Sequence, residues 1–386
     1  MSSSEMNSTM EPPTNSTEEQ EIIYCDEDPV LRLYFVTVGT TIATFGCACN
    51  LLLLFVFLTK NRHQWSTYLI FLAILDFLLC FLYVTSFGLE SAAKYFRIHF
   101  LYDLIRLTTT YQFTLSKVVQ VCIPYVLIAI SAERLAWIGK IIRMRNRGSH
   151  RGSLLVCVCI AVLWTALRAP GFHAIDIYVY ENGECDYFES MPIVSTNLTA
   201  NPQYIQYDLL INFFHLFVSF CVLFILNLLI VHRLRLSHQN ARRNSSCPNV
   251  VLSATKQMVL NEEKKEHKRL RCAIKTTAVV ISTYLACNSI HFALYMMEMF
   301  SSHILKSEDG GFNMFYVITS DVGTILFVLC STIRLFIYYK YNPDVKSALK
   351  TIPFLPCFAG QVNRPKTSAY ECTMPLQTDK ESPSSV

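Results

Sequence analysis

Long apolar runs separated by shorter polar segments set the pattern of this chain. No charged residue lies between Arg32 and Lys60. A second run extends from Thr67 to Leu89 and is broken only by Asp76. Others cover about Thr108–Ile138, Ser153–Pro170, Ile205–Leu236, Ala273–Phe300 and Phe312–Tyr341. Each is about the length needed to cross a hydrocarbon core of roughly 30 Å. Lipid offers the backbone no hydrogen bonds, so runs of this kind are read as helices. The pattern predicts an all-α membrane protein, a bundle of seven transmembrane helices over residues 31–352. Residues 1–30 form a polar, acidic segment, and 353–386 a polar tail expected to be disordered. The N-terminal segment lacks an apolar stretch after a basic start, so no cleavable signal peptide is expected.

Composition agrees with a lipid environment. Only 16% of the 386 residues are charged, against about a quarter in a soluble domain. The chain has 15 Cys, but most of them (Cys47, Cys49, Cys80, Cys122, Cys157, Cys159, Cys221, Cys287, Cys330) lie inside apolar runs, where Cys acts as a small apolar residue. No metal-ligand spacing is present, and no metal or cofactor is expected.

The distribution of basic residues orients the bundle. Lys60 and Arg62 follow the first run, Lys140, Arg143, Arg145, Arg147 and Arg151 follow the third, and a base-rich segment from Arg233 to Lys275 joins the fifth and sixth. No Lys or Arg occurs from Gly171 to Gln206. The positive-inside rule then puts the N-terminus outside and the tail in the cytosol. Glycosylation sequons at Asn7, Asn15 and Asn197 fall outside in this arrangement, and the one at Asn244 falls inside.

Several short motifs recur at matching places in the runs. The first run has Cys-Asn50-Leu-Leu and the second Phe-Leu-Ala-Ile-Leu-Asp76. The third ends Ile-Ser-Ala-Glu133-Arg134-Leu135, and the fourth carries Trp164. The fifth closes on Asn227-Leu-Leu-Ile-Val, the sixth reads Tyr284-Leu-Ala-Cys287-Asn288, and the seventh ends Ser331-Thr-Ile-Arg334-Leu-Phe-Ile-Tyr338. In order and spacing the set resembles the rhodopsin-like (class A) G-protein-coupled receptors over about residues 33–352. The ends of runs five and six are most similar to invertebrate, nematode-type FMRFamide-like neuropeptide receptors.

The resemblance implies roles for particular residues. Glu133 and Arg134 would couple to a heterotrimeric G protein, with arrestin and receptor kinases as further partners. The alternative for Arg134 is an interfacial Arg reaching lipid headgroups. Asn50, Asp76, Asn288, Arg334 and Tyr338 would form an intramembrane switch. In the family the acid matching Asp76 often holds sodium with polar help from spans 3 and 7. Here those helper positions are Ile123 and Arg334, so a buried Asp76–Arg334 ion pair is expected to take the cation's place. The alternative is that Arg334 snorkels to the inner surface. The family's prolines and Trp in spans 5, 6 and 7 are replaced by Ser219, Asn288, Ile290 and Leu335, and Pro124 is an extra break in span 3.

On the outer side, Asn182-Gly183 between near-alternating residues predicts a β-hairpin within 171–204, with a plain loop as the alternative. That segment carries Asp176, Glu181, Glu184, Asp186 and Glu189 and, with the acidic N-terminus, would attract a basic ligand. A neuropeptide such as one ending in Arg-Phe-amide fits both the charge and the resemblance. The position for the family's usual loop disulfide is Thr109. A Cys25–Cys185 bond is expected instead, unless both remain thiols. By resemblance the ligand-lining candidates are Ser116, Lys117, Gln120, His215, His291, Tyr295 and Asp321, each of which could equally be satisfied within the bundle. Ser116 stands where amine receptors keep an Asp, and Val328 where opsins keep Lys, which argues against both ligand types.

On the inner side, Asn342-Pro343-Asp-Val-Lys-Ser-Ala-Leu reads as a short helix on the membrane surface, and Cys357 is a palmitoylation candidate. The sequence therefore reads as a plasma-membrane receptor for a neuropeptide, with membrane lipids as its surroundings. A chemosensory receptor for small molecules is the alternative, and a transporter a weaker one, since no internal repeat is present. No catalytic constellation is visible, and neither an enzyme nor a nucleic-acid partner is expected.

Overall fold

A computed structural model describes residues 30–60, 66–138, 150–179, 186–244, 254–305 and 313–350. Within them seven helices are long and apolar enough to span a membrane: Leu31–Thr59, Thr67–Phe96, His99–Ala136, Arg151–His173, Pro202–Leu236, Arg271–Phe300 and Met314–Tyr341, here spans 1 to 7. Span 3 touches spans 2, 4, 5 and 6, and span 7 closes the bundle against spans 6, 1 and 2. The packed interior includes Leu53, Leu72, Ile123, Leu127, Leu223, Ile230 and Ile281. Phe55, Leu58, Phe81, Leu107, Leu155, Val162, Ile225 and Phe336 face outward. So large an exposed apolar surface would be anomalous in water and is what lipid requires.

Polar side chains inside the spans bond locally. In span 1, Thr37, Thr41 and Thr44 each donate to the carbonyl four residues earlier, which hides the hydroxyls from lipid. Small residues let spans 1, 2 and 7 approach closely. A Cβ on Gly46 would lie 2.4 Å from Thr332 Oγ1 and 2.7 Å from Cys80 Sγ. Gly46→Val is expected to destabilise the bundle by about 1–3 kcal/mol. An unchanged thermal midpoint in detergent-purified protein would reject that close-approach argument.

The spans depart from their expected outlines in three ways. Spans 2 and 3 extend further, to Phe96 and back to His99, because the charges at those ends are paired. Arg106, buried in span 3, meets Glu90 of span 2 at 2.9 Å. Pro124 does not break span 3, which runs as one helix from His99 to Ile138. The irregularities instead are widened π turns at Val84–Gly88 in span 2 and Phe213–Val218 in span 5. Ser219, which replaces a family proline, follows the second of these and donates to the His215 carbonyl. Such turns insert one residue into an α-helix and often mark functional positions.

The short helix after span 7 is Pro343–Lys350. Asn342 caps it by accepting from the Asp344 amide at 3.0 Å, and Pro343 occupies its first turn. Val345, Ala348 and Leu349 are buried while Asp344, Lys346 and Lys350 are exposed, so the helix is amphipathic. Between spans 4 and 5, strand β1 (Ile175–Ile177) pairs antiparallel with β2 (Ile193–Ser195).

The antiparallel pair fits the expected β-hairpin, but its register is not that of a two-residue turn at Asn182-Gly183. A two-residue turn at Asn182-Gly183 would set Ile177 opposite Phe188, whereas Ile177 pairs with Ile193. Asn182 and Gly183 lie outside the described residues. Phe188 is instead buried against Ala93, Tyr102 and Ile105 at the ends of spans 2 and 3. Burial of an aromatic ring outweighs continuation of a three-residue ladder.

Candidate functional site

The most enclosed charges of the bundle belong to spans 2 and 7. Asp76 and Arg334 are each 1% exposed, and Arg334 Nη1 donates to Asp76 Oδ2 at 2.5 Å. Ser331, one turn before Arg334, donates to Asp76 Oδ1 at 2.8 Å. Asn50 of span 1 donates to the Gly46 carbonyl at 3.0 Å and lies 3.4 Å from the Ser331 carbonyl. Spans 2 and 7 thus meet on one carboxylate, and span 1 reaches the backbone of the serine that holds it. The snorkelling alternative for Arg334 does not describe this arrangement. The residues also do not fit a sodium ion, because a guanidinium occupies one Asp76 oxygen and a hydroxyl the other, and Ile123 supplies no ligand.

Toward the far end of span 3, Arg134 is 3% exposed. Tyr338 of span 7 is buried near it and packs edge-on against Phe57 at 5.7 Å between ring centres. Glu133 is half-buried, and among the described residues its Oε2 has no hydrogen-bond partner.

Between these two centres and the face where span 1 begins lies a cavity of about 50 Å³. Gln120 of span 3, His215 and Ser219 of span 5, Asn288 and His291 of span 6 and Thr324 of span 7 supply its polar lining. Phe220, Phe292 and Phe327 supply much of the rest. Phe220 and Phe292 stack at 4.4 Å, so spans 5 and 6 close on one another across the cavity wall. Asn288 donates to the Tyr284 carbonyl at 2.8 Å, and the His291 ring packs against Gly323, where a Cβ would come within 3.0 Å of it.

Above the cavity, residues 186–188 clasp the end of span 3. Asp186 accepts from Arg97 at 2.7 Å, and the Tyr187 hydroxyl donates to Asp103 at 2.6 Å. Arg97 stands in left-handed backbone at φ 57°, which closes the helix end and turns the chain into span 3. The Asp103 carboxylate pushes the Tyr187 phenol up, so the phenol stays protonated and donating through the neutral range. The Arg97–Asp186 pair is exposed and adds at most about 1 kcal/mol. Phe188 matters more. Phe188→Ala is expected to cost about 3–5 kcal/mol of loop docking. Amide exchange across residues 186–195 reads this, and protection equal to the unaltered protein would contradict it.

A family profile described as "7 transmembrane receptor (rhodopsin family)" matches residues 49–338. This chain belongs to that family. The receptor is therefore a G-protein-coupled receptor and not an enzyme. Among solved structures it is similar to the crystal structure of squid rhodopsin, with a TM-score of 0.61 at 14% sequence identity. The match covers 92% of this chain and 94% of that one. At that identity the likeness concerns the fold. A search of curated proteins found no match.

Of the receptor's sequence-derived lining candidates, Gln120, His215 and His291 border the cavity. Ser116, Lys117, Tyr295 and Asp321 do not line it. Ser116 turns back to donate to the Phe113 carbonyl at 2.8 Å, and Asp321 lies nearer Tyr83 of span 2. Asn288, expected only as a switch residue, is part of the lining, as are Ser219, expected only as the replacement of a family proline, and Thr324, which the sequence did not single out. Asn197 is exposed at the start of the short helix Asn197–Ala200. Asn7, Asn15, Cys25, Cys185 and Cys357 lie outside the described residues.

A further group was missed. Arg168 of span 4 donates to Asp208 at 3.0 Å and to Asn212 at 2.7 Å, both on span 5. Asn212 in turn donates to Asp208 at 2.8 Å. The signal was present: Arg168 and Asp208 are charges within or beside apolar runs, which usually pair.

Proposed function

We propose that this receptor lies in the plasma membrane with residues 1–30 outside and 353–386 in the cytosol. It answers a basic neuropeptide by activating a heterotrimeric G protein at its Arg134 end. The observation that carries the reading is the split of charge between the two ends of a family-typical bundle. Bases flank the end that holds Arg134, and the loop 171–204 carries acids and no base. A negative mouth concentrates cationic ligands and speeds their encounter. The similarity to FMRFamide-like receptors makes amidated peptides the first class to test.

In this reading Asp76, Arg334, Asn50, Asn288 and Tyr338 form the switch between the mouth and the G-protein end. Cys25–Cys185 ties the N-terminal segment to the loop, Asn7, Asn15 and Asn197 carry glycans, and Cys357 carries a palmitoyl chain. Arrestin and receptor kinases act on the tail and the loop between spans 5 and 6. The small cavity of about 50 Å³ favours a second reading, a chemosensory receptor for a small molecule.

A library of neuropeptides, tested against surface-expressed receptor with several G proteins, decides between them. Activation by basic peptides that weakens when Asp176 and Asp186 are neutralised supports the first. Silence across the library, with the receptor confirmed at the surface, shifts the assignment to small molecules. Glycan on Asn244 in place of Asn197 would reverse the topology.

A further inference from the structure

Span 3 carries a cation that neither the switch nor the clasp uses. Lys117 lies one helical turn from Gln120, toward the face where span 1 begins, and so on nearly the same side of the helix. Among the described residues its ammonium makes no hydrogen bond and no salt bridge. The nearest partner is the Phe113 ring on its own helix, 5.3 Å from Nζ.

Among the described residues the carboxylates within electrostatic reach of Lys117 are Asp208 and Glu298, and neither forms a salt bridge with it. Asp208 gives Oδ1 to Arg168 and Oδ2 to Asn212. Glu298 accepts from the Tyr316 hydroxyl at 2.9 Å. The other groups in range, Arg168, His215 and His291, supply no negative charge. A lone ammonium inside a membrane protein is costly, and such a residue usually serves a ligand or a pathway.

A second observation points the same way. Tyr295, one turn beyond His291 on span 6, is 4% exposed, and among the described residues its buried hydroxyl has no hydrogen-bond partner. His291 Nδ1 is buried and unpartnered too. Spans 3 and 6 thus hold a three-proton cation, a phenol and an imidazole nitrogen whose hydrogen-bonding capacity the described residues leave unused. A carboxylate complements that set: it brings a negative charge in hydrogen-bonding contact and several acceptor sites. A neutral amide would leave the ammonium without a counter-charge.

We propose that Lys117 anchors a carboxylate of the ligand, with the Tyr295 hydroxyl as a further donor. The inference rests on the peptide reading above and takes the ligand to reach one helical turn outward of the cavity, which Lys117 and Tyr295 do not themselves line; it sharpens the ligand class. A basic peptide would meet the acidic mouth with its cations and the interior with a free acid, such as an unamidated C-terminus or an acidic side chain.

The test has two arms. In the first, peptides are made as matched free-acid and amide forms and assayed for G-protein activation. The acid form is expected to be at least tenfold more potent on the unaltered receptor. Lys117→Met should remove that difference at equal surface level. Equal potency, or preference for the amide, would overturn the proposal.

The second arm needs no agonist. In ligand-free, detergent-purified receptor, Lys117→Met is expected to raise the thermal midpoint by about 2–4 °C, since it removes an uncompensated charge. Benzoate or indole-3-acetate should raise the midpoint of the unaltered receptor but not of the variant. A lowered midpoint in Lys117→Met would show that the ammonium has a partner within the chain and would overturn the anchor. If no peptide in either form activates, the peptide reading falls, and the midpoints alone decide the anchor.

Discussion

Arg334→Met will sharply reduce the folded receptor recovered from membranes, and Asp76→Leu will do the same. Each change leaves one charge at 1% exposure with its partner gone. Removing one member of a buried pair costs about 3–5 kcal/mol, a large part of any protein's total stability. Losing Arg334 leaves Asp76 with the Ser331 hydroxyl alone. Losing Asp76 strands a guanidinium whose Nε and Nη2 already lack partners among the described residues. The double change to Met and Leu should recover most of the loss, because an apolar pair pays no desolvation. The charge-swapped pair should recover part of it, limited by the geometry around Ser331. Surface expression and thermal midpoints of the four proteins form a double-mutant cycle. A swapped pair no better than either single variant would exclude the direct ion pair as the cause. Because the guanidinium already holds the carboxylate, sodium should leave ligand affinity unchanged; a sodium-dependent affinity would contradict the assignment.

Arg134→Ala is expected to leave ligand binding in place and remove most of the G-protein response. Arg134 is enclosed at the end of span 3, with Tyr338 of span 7 beside it. A hydrogen bond from a charged donor is worth about 1.5–3 kcal/mol, so losing one at the coupling surface would slow nucleotide exchange by roughly 10- to 150-fold. Nucleotide exchange in membranes, normalised to surface receptor, measures this. Exchange within twofold of the unaltered receptor would rule out Arg134 as the coupling group. Glu133→Gln should alter basal exchange little, since Glu133 Oε2 makes no hydrogen bond among the described residues. A strong rise in basal exchange would instead show that the acid restrains its neighbour.

The bundle and its Asp76–Arg334 pair were legible in the sequence for a simple reason. Charge inside an apolar run is rare enough to be conspicuous, so Asp76 and Arg334 announced each other from opposite ends of the chain. The same logic would have found Arg168 with Asp208 had it been applied to the ends of spans 4 and 5. Span limits were read too short at Phe96 and His99, because hydropathy treats Glu90, Asp103 and Arg106 as polar whether or not they are paired. The hairpin was legible but its register was not, because Asn182-Gly183 speaks only for its local turn. The burial of Phe188 depends on Tyr102 and Ala93, which are distant in sequence. The cavity lining was read in part: resemblance gave Gln120, His215 and His291. The way Asn288 and Ser219 face the cavity depends on helix rotation, which no local pattern encodes.

The widened turn at Phe213–Val218 bears on how positions in this receptor can be matched to those of relatives. It contains one residue more than α geometry, and a single residue turns a helix by about 100°. Counting back from Asn227 as if span 5 were regular would therefore rotate Asp208 and Asn212 away from span 4, where both in fact meet Arg168. Any transfer of residue roles along span 5 must be anchored separately on each side of that turn. The same holds for span 2, where Val84–Gly88 separates Asp76 from Glu90.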